Sequence, residues 1–316
     1  MKHTFILFCI LTLFIQFCKK ADNITPPEDP EYSDLNWIKI QARNSPPERA
    51  YHRMAYDSES DRVILFGGQN SPSWPFKDYL DTWAYDHNSA KWTNLEPQIK
   101  PSWGSSMAYD AESDRIILFS NWNGTNPLTW IYDYNTNTWT WLHPSEFPPK
   151  RLGNEMVYDA ESDRIILFGG WYDNAPLNDT WSYDLNTNTW TEMKPPINPP
   201  ARLFHSMAYD TESDRIILFG GGYAEEVNVW TKLFDDTWAY DYNSNTWSQL
   251  DPGTSPSPRI YSDMTYDVRD DRIILFGGGT QSYTGQIPGP YGNETWQYDF
   301  NSNEWEEINI DRKSVV

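Results

Sequence analysis

The most regular feature of the chain is a polar turn followed by a short, wholly apolar run. Tyr56-Asp57-Ser58-Glu59-Ser60-Asp61 leads into Arg62-Val63-Ile64-Leu65-Phe66 and stops at Gly67-Gly68. The same pattern returns near Tyr109, Tyr158, Tyr209 and Tyr266, and its first aspartates (Asp57, Asp110, Asp159, Asp210 and Asp267) stand 53, 49, 51 and 57 residues apart. A period of that length marks a repeat architecture, in which each unit buries its faces only against its neighbours. A continuous apolar run bounded by turn residues predicts a strand covered on both faces. Downstream of each run comes Asp-Thr-Trp-x-Tyr-Asp, intact at Asp81 to Asp86, Asp179 to Asp184 and Asp236 to Asp241. A turn such as Asn186-Thr187-Asn188 then leads into a second tryptophan, Trp190.

Four short strands per repeat account for this order. Strand A is typified by His205 to Tyr209 and strand B by Arg215 to Phe219. Strand C runs from Thr237 to Tyr240, with Trp238 and Tyr240 on one face, and strand D begins near Trp247. The Gly pair after strand B suits positive φ or a close backbone approach. One four-stranded sheet cannot bury both its faces, so the five sheets are expected to stack radially.

Gly-Gly after strand B, Tyr-Asp in strand C, Asn-x-Asn-x-Trp into strand D and Pro-x-x-Arg before strand A resemble the kelch repeat, five times over about residues 36 to 310. The resemblance implies an all-β, kelch-type β-propeller of four-stranded antiparallel blades. Repeat two departs most, with Ser120-Asn121 for the Gly pair, Ser102 for the Arg and Leu128 for the Asp. Asn36 to Ile40, with Trp37, reads as a surplus strand D. Five blades are favoured, with Trp37 competing for the outer edge of the last; a sixth, incomplete blade is the alternative.

The N-terminus changes the picture of location. Lys2 and His3 precede an apolar run from Phe5 to Phe17, too short for the roughly 20 residues a spanning helix needs. It reads as an export signal over 1–18, followed by a Pro-rich tether over 19–35, the propeller over 36–311 and a tail over 312–316. Cys9 and Cys18 are the chain's 2 cysteines, and both lie in or beside that run. The placement of Cys18 resembles a bacterial lipoprotein signal, whose cysteine carries the lipid; simple secretion is the alternative. A net charge of -21 argues against nucleic acid, which needs a basic stripe. The same field repels an anionic bilayer, so membrane attachment is expected only through the N-terminal lipid.

The candidate chemistry sits in the connections. The A–B turns, such as Asp110-Ala111-Glu112-Ser113-Asp114, have carboxylates at alternate positions, but their repetition in every blade reads as a structural turn. No metal and no cofactor is assigned. The B–C segments vary in length and composition, as expected where function is grafted on a scaffold. Of 17 tryptophans, eleven fall on repeat positions: Trp83, Trp130, Trp181, Trp238 and Trp296 in strands C, and Trp37, Trp92, Trp139, Trp190, Trp247 and Trp305 in strands D. Five of the rest, Trp74, Trp122, Trp171, Trp230 and Trp103, map to the face shared by the B–C and D–A connections, joined there by Tyr172, Tyr223, Tyr283 and Tyr291; Trp141 does not. Clustered off-pattern aromatics mark a binding surface, the alternative being long connections that fold back and bury their own rings. Arg49, Arg151, Arg202 and Arg259 precede strands A on that face. They read either as structural residues or as a cationic ring for a carboxylate.

The expected function is therefore a binding module outside the cytoplasmic membrane, recognising a glycan or a protein through Trp74, Trp122, Trp171 and Trp230 with the four arginines. The alternative implied by the resemblance is a carbohydrate-active enzyme similar to sialic acid mutarotases, with Glu225 or Glu226 as acid/base. A copper radical site is disfavoured, because it needs a cysteine and residues beyond Cys18 include none.

Overall fold

A computed structural model describes residues 40–70, 77–120, 127–226, 229–280 and 291–308. Five four-stranded antiparallel sheets form a ring, and the described residues include no helix. Blade one holds β1 (Arg53–Asp57), β2 (Arg62–Phe66), β3 (Thr82–Asp86) and β4 (Lys91–Asn94). Blade two holds β5 (Gly104–Asp110), β6 (Arg115–Ser120), β7 (Leu128–Asp133) and β8 (Thr138–Leu142). Blade three holds β9 (Glu155–Asp159), β10 (Arg164–Tyr172), β11 (Ala175–Asp184) and β12 (Thr189–Glu192). Blade four holds β13 (Ser206–Asp210), β14 (Arg215–Phe219), β17 (Thr237–Asp241) and β18 (Thr246–Leu250), with β15 (Gly222–Glu226) and β16 (Val229–Leu233) inserted as a separate hairpin. Blade five holds β19 (Asp263–Asp267), β20 (Arg272–Phe276), β21 (Thr295–Asp299) and β22 (Glu304–Ile308). Strand D of the last repeat is thus described to Ile308, and Trp37 lies outside the described residues.

The apolar run is the centre of each blade. Ile166, Leu167 and Phe168 are buried completely, as are Ile217, Leu218 and Phe219, because β10 and β14 have strands on both edges and blades against both faces. Burying each such side chain contributes about 1.5–3 kcal/mol. The core is laid down between blades: Phe66 packs with Met107, Leu118 and Trp139, and Phe219 with Met264, Leu275 and Trp305.

One device fixes neighbouring blades. The D-strand tryptophan of a blade donates its indole N–H to the C-strand threonine of the blade before it. Trp139 bonds Thr82 at 3.0 Å, and Trp190 bonds Thr129, Trp247 bonds Thr180 and Trp305 bonds Thr237 at 2.9 Å. The same rings lean on Phe66, Phe119, Phe168 and Phe219. The alternation within strand C is what permits this, since Thr180 and Ser182 share one face while Trp181 and Tyr183 share the other.

The acidic A–B turns are built locally. Asp57 Oδ1 accepts from the amides of Glu59 and Ser60, while Asp61 sits at φ 54° and accepts from the Tyr56 hydroxyl and from Asn88. Arg62, the first residue of β2, pairs with Asp86, the last of β3, where the C–D turn begins. Repeats of this arrangement give Arg115–Asp133, Arg164–Asp184, Arg215–Asp241 and Arg272–Asp299. These carboxylates hold two turns of one blade together.

Candidate functional site

In four of the five blades a short backbone bridge ties the D–A connection to the B–C connection of the same blade. The bridges pair Ala50 with Gln69, Leu152 with Trp171, Leu203 with Gly222 and Ile260 with Gly279. Both sets of connections therefore lie on one face, as the antiparallel order requires. In two blades the B–C connection is not the irregular loop the sequence implies. In blade three, β10 and β11 run on past the Gly pair to a two-residue turn in which Asp173 and Asn174 have φ of 50° and 62°, the geometry of a type I′ hairpin. In blade four, β15 and β16 form a hairpin of their own, with Trp230 opposite Ala224. Trp171 stands half-buried near the root of the first hairpin, and Tyr172 is exposed beside it under the Lys150 ammonium. Tyr291 is exposed, Tyr223 is half-buried and Glu225 and Glu226 lie on β15. Trp74, Trp122 and Tyr283 lie outside the described residues. Trp141 sits on the outer edge strand β8, exposed, stacked on Trp130 at 6.3 Å and against His143 at 4.0 Å.

The four arginines are scaffold groups. Arg151, Arg202 and Arg259 are fully buried, and the Arg49 side chain is 3% exposed. Each donates to the carbonyl of the first Gly of its own blade's pair: Gly67, Gly169, Gly220 or Gly277. Arg49, Arg151 and Arg202 also make two-pronged bonds of 2.6–2.9 Å to Asp81, Asp179 and Asp236. Arg259 bonds Glu294, which stands in place of that aspartate. The pair works within one blade, joining the D–A approach, the end of strand B and the start of strand C. The aspartate also takes the indole N–H of Trp83, Trp181 or Trp238. Arg49 and Arg202 lend Asp81 and Asp236 a positive partner that holds their carboxyls below the ordinary range against the opposing effect of burial. A ring of free guanidinium groups for an external carboxylate is not what this geometry provides. Blade two lacks both members of the pair, and Ser102 bonds Ser120 instead.

The residues where the repeat breaks its own symmetry lie at the mouth of the central channel. The innermost strands read Arg53-Met-Ala-Tyr-Asp, Ser106-Met-Ala-Tyr-Asp, Glu155-Met-Val-Tyr-Asp, Ser206-Met-Ala-Tyr-Asp and Asp263-Met-Thr-Tyr-Asp. Each first residue pairs with the phenylalanine of strand B, so all five occupy one level. Adjacent blades are laced there, Asn154 donating to Ser106 Oγ at 2.6 Å and Ser206 donating to the Ser262 carbonyl at 2.7 Å. Burial pushes the Glu155 carboxyl up to about 8, with Arg53 opposing and Asp263 reinforcing. Asp263 is raised too, chiefly by desolvation among the protein groups around it, although its surface is reached by solvent. Two residues earlier, Tyr51, Phe204 and Tyr261 all adopt positive φ, from 55° to 58°, costly for bulky residues. The turn lets Phe204 N–H reach the Gly153 carbonyl and Tyr261 N–H reach that of Phe204, a belt of bonds from blade to blade. The rings of Phe204 and Tyr261 lie 4.3 Å apart, and Tyr261 meets Tyr51 edge-on at 6.4 Å. No repeat motif marks Arg53, Glu155 and Asp263 as a set; the one signal in the sequence is that strand A varies in charge only at its first position.

The fold is that of a five-bladed kelch-type propeller whose blades differ most on the B–C/D–A face. The KLHDC2/KLHL20/DRC7 Kelch-repeats domain matches residues 31–196 and 129–315, and the chain belongs to that family. Among curated proteins it is similar to dynein regulatory complex subunit 7 of Chlamydomonas reinhardtii, 36% identical over 81 residues, which is 25% of this chain and 6% of that protein. It is also similar to Mei4-dependent protein 6 of Schizosaccharomyces pombe, 27% identical over 111 residues, 34% of this chain and 15% of that protein. The chain thus matches only a small part of either relative's length.

Proposed function

We propose that the chain is a non-catalytic binding module that captures a protein partner on its B–C/D–A face. The observation that carries this reading is the confinement of variation: the blades share their turns and cores, four of the five share the arginine clamp, and they differ most in the hairpins and channel-mouth residues of that one face. Rigid scaffolds present function in this way. Membership of a family of kelch domains supports a protein partner. The contact residues proposed are Trp171 and Tyr172 on the blade-three hairpin, with Trp230 on the blade-four hairpin and Trp74 and Trp122 in the neighbouring connections. Arg49, Arg151, Arg202 and Arg259 support the face from beneath. Peptides selected on the folded chain from a display library should lose affinity with Trp171→Ala and Tyr172→Ala, and should be indifferent to Trp141→Ala at the outer rim. Binders indifferent to the hairpin changes would place the interaction elsewhere.

A glycan ligand is the second reading, favoured by the exposed ring of Tyr172, which offers a flat stacking surface. A glycan array on the same protein separates the two. We also propose export, with lipid on Cys18, from the apolar run and cysteine placement at the N-terminus. A Cys18→Ser form that is processed and fractionates like the parent would overturn the lipid attachment and leave simple secretion.

A further inference from the structure

We infer that the channel mouth is a pocket for one cationic side chain, a lysine ammonium or arginine guanidinium, presented by the partner protein. The inference rests on the protein-binding reading and adds the chemistry of the group recognised.

Three observations carry it. First, the charged residues are concentrated at one register level of the innermost strands, where Arg53, Glu155 and Asp263 replace the serines of blades two and four. The four positions that follow are nearly the same in every blade, so the variation is local to the mouth. Second, the level is short of positive charge. Two carboxylates share that level with one guanidinium; each feels Arg53, and Glu155 also feels Asp263. Desolvation raises the cost of ionising each, the Asp263 charge adds to it at Glu155, and an entering cation offsets that cost. Third, one side of the mouth is walled by Tyr51, Tyr261 and Phe204 from blades one, five and four, whose rings touch in series. Blades two and three carry Gly104 and Gly153 at the same position, so the wall is one-sided. Tyr51 and Tyr261 each stand two residues before a charged position of that level, and aromatic faces together with carboxylates make the surface a desolvated cation prefers. The chain's charge of -21 would draw a basic segment toward it and speed its docking.

The test uses the full chain and two kinds of probe. Saturation-transfer NMR is run with lysine, arginine, norleucine and glutamate, each blocked at both ends, and with neutral monosaccharides. Peptides selected from a random display library supply the second measurement. Signal from the blocked lysine or arginine is expected, lost in Glu155→Gln/Asp263→Asn and weakened in Tyr261→Ala. Selected peptides are expected to share a basic residue and to weaken about tenfold or more on the double variant. Thermal unfolding of each variant, and the single changes Glu155→Gln and Asp263→Asn, guard against loss of fold. Peptides that bind without a basic residue, or ignore the double variant, overturn the cation pocket and leave the protein-binding reading standing. If no peptide is enriched and only the sugars give signal, both readings are overturned.

Discussion

Arg202 and Asp236 meet in a two-pronged pair of 2.6 and 2.7 Å, with the guanidinium fully buried and stacked 4.1 Å above the Phe234 ring. The same guanidinium donates to the Pro200 and Gly220 carbonyls. One side chain therefore closes the D–A approach onto the Gly turn, and its loss leaves Asp236 with only the Trp238 indole as side-chain donor.

Arg202→Ala is expected to cost about 3–5 kcal/mol, the range for removing one member of a buried pair. The repeat supplies its own control. Blade two forms with Ser102 and Leu128 at these positions, so Arg202→Ser/Asp236→Leu should cost less than Arg202→Ala alone. Chemical denaturation of the three proteins checks the order. A guanidinium reserved for ligand would leave stability unchanged when removed.

The indole-to-threonine bonds between blades predict a second effect. Thr180→Val keeps the shape and leaves the Trp247 N–H buried without its acceptor, a loss of about 1–3 kcal/mol. Thr129→Val should do the same through Trp190. Denaturant midpoints compared with an exposed control, Thr187→Val, measure it.

Tryptophans on and off the repeat should separate in stability. Trp190 is 2% exposed and packs on Tyr183 and Phe119, so Trp190→Ala should cost about 3–5 kcal/mol. Trp181 is the weaker reference for this contrast, being half-buried with its N–H on Asp179. Trp171→Ala should cost under about 1 kcal/mol. Equal losses would make the blade-three hairpin a self-packed structure with no surface to offer.

Stability should depend on pH through opposite arms. Glu155 is pushed up to about 8 from 4.5 by burial, so the stability its neutral form contributes is full below pH 4.5 and is lost as pH rises through 8. His205 and His52 are pulled down to about 3 from 6.5 by burial and adjacent arginines, so their contribution is present above pH 6.5 and is lost as pH falls toward 3. Glu155→Gln should flatten the alkaline arm of unfolding temperature against pH, and His205→Asn the acid arm. A Glu155→Gln curve parallel to the parent above pH 7 would mean that the carboxyl is already ionised there.

The repeat made the blades legible. Tyr-Asp, the polar turn, Arg-Ile-Ile-Leu-Phe and Thr-Trp-x-Tyr-Asp each settle a strand and its neighbour by alternation and turn chemistry, which are local properties. Strand B of blade four falls at Arg215–Phe219 as read, and strand A begins one residue later than read, at Ser206. The face that collects the B–C and D–A connections followed from antiparallel order alone. What each residue does on that face did not. Arg49 and Arg53 are four positions apart and equally basic; only the bend at Tyr51 and the approach of Asp81 bind the first into its own blade, while the second is left acting across the channel on Glu155 and Asp263. Those three residues are separated by 102 and 108 positions in the chain. The register of strands A and B sets them at one level, but ring closure alone gathers them round one channel, and a repeat that encodes pairing between adjacent strands carries no information about which residues meet there.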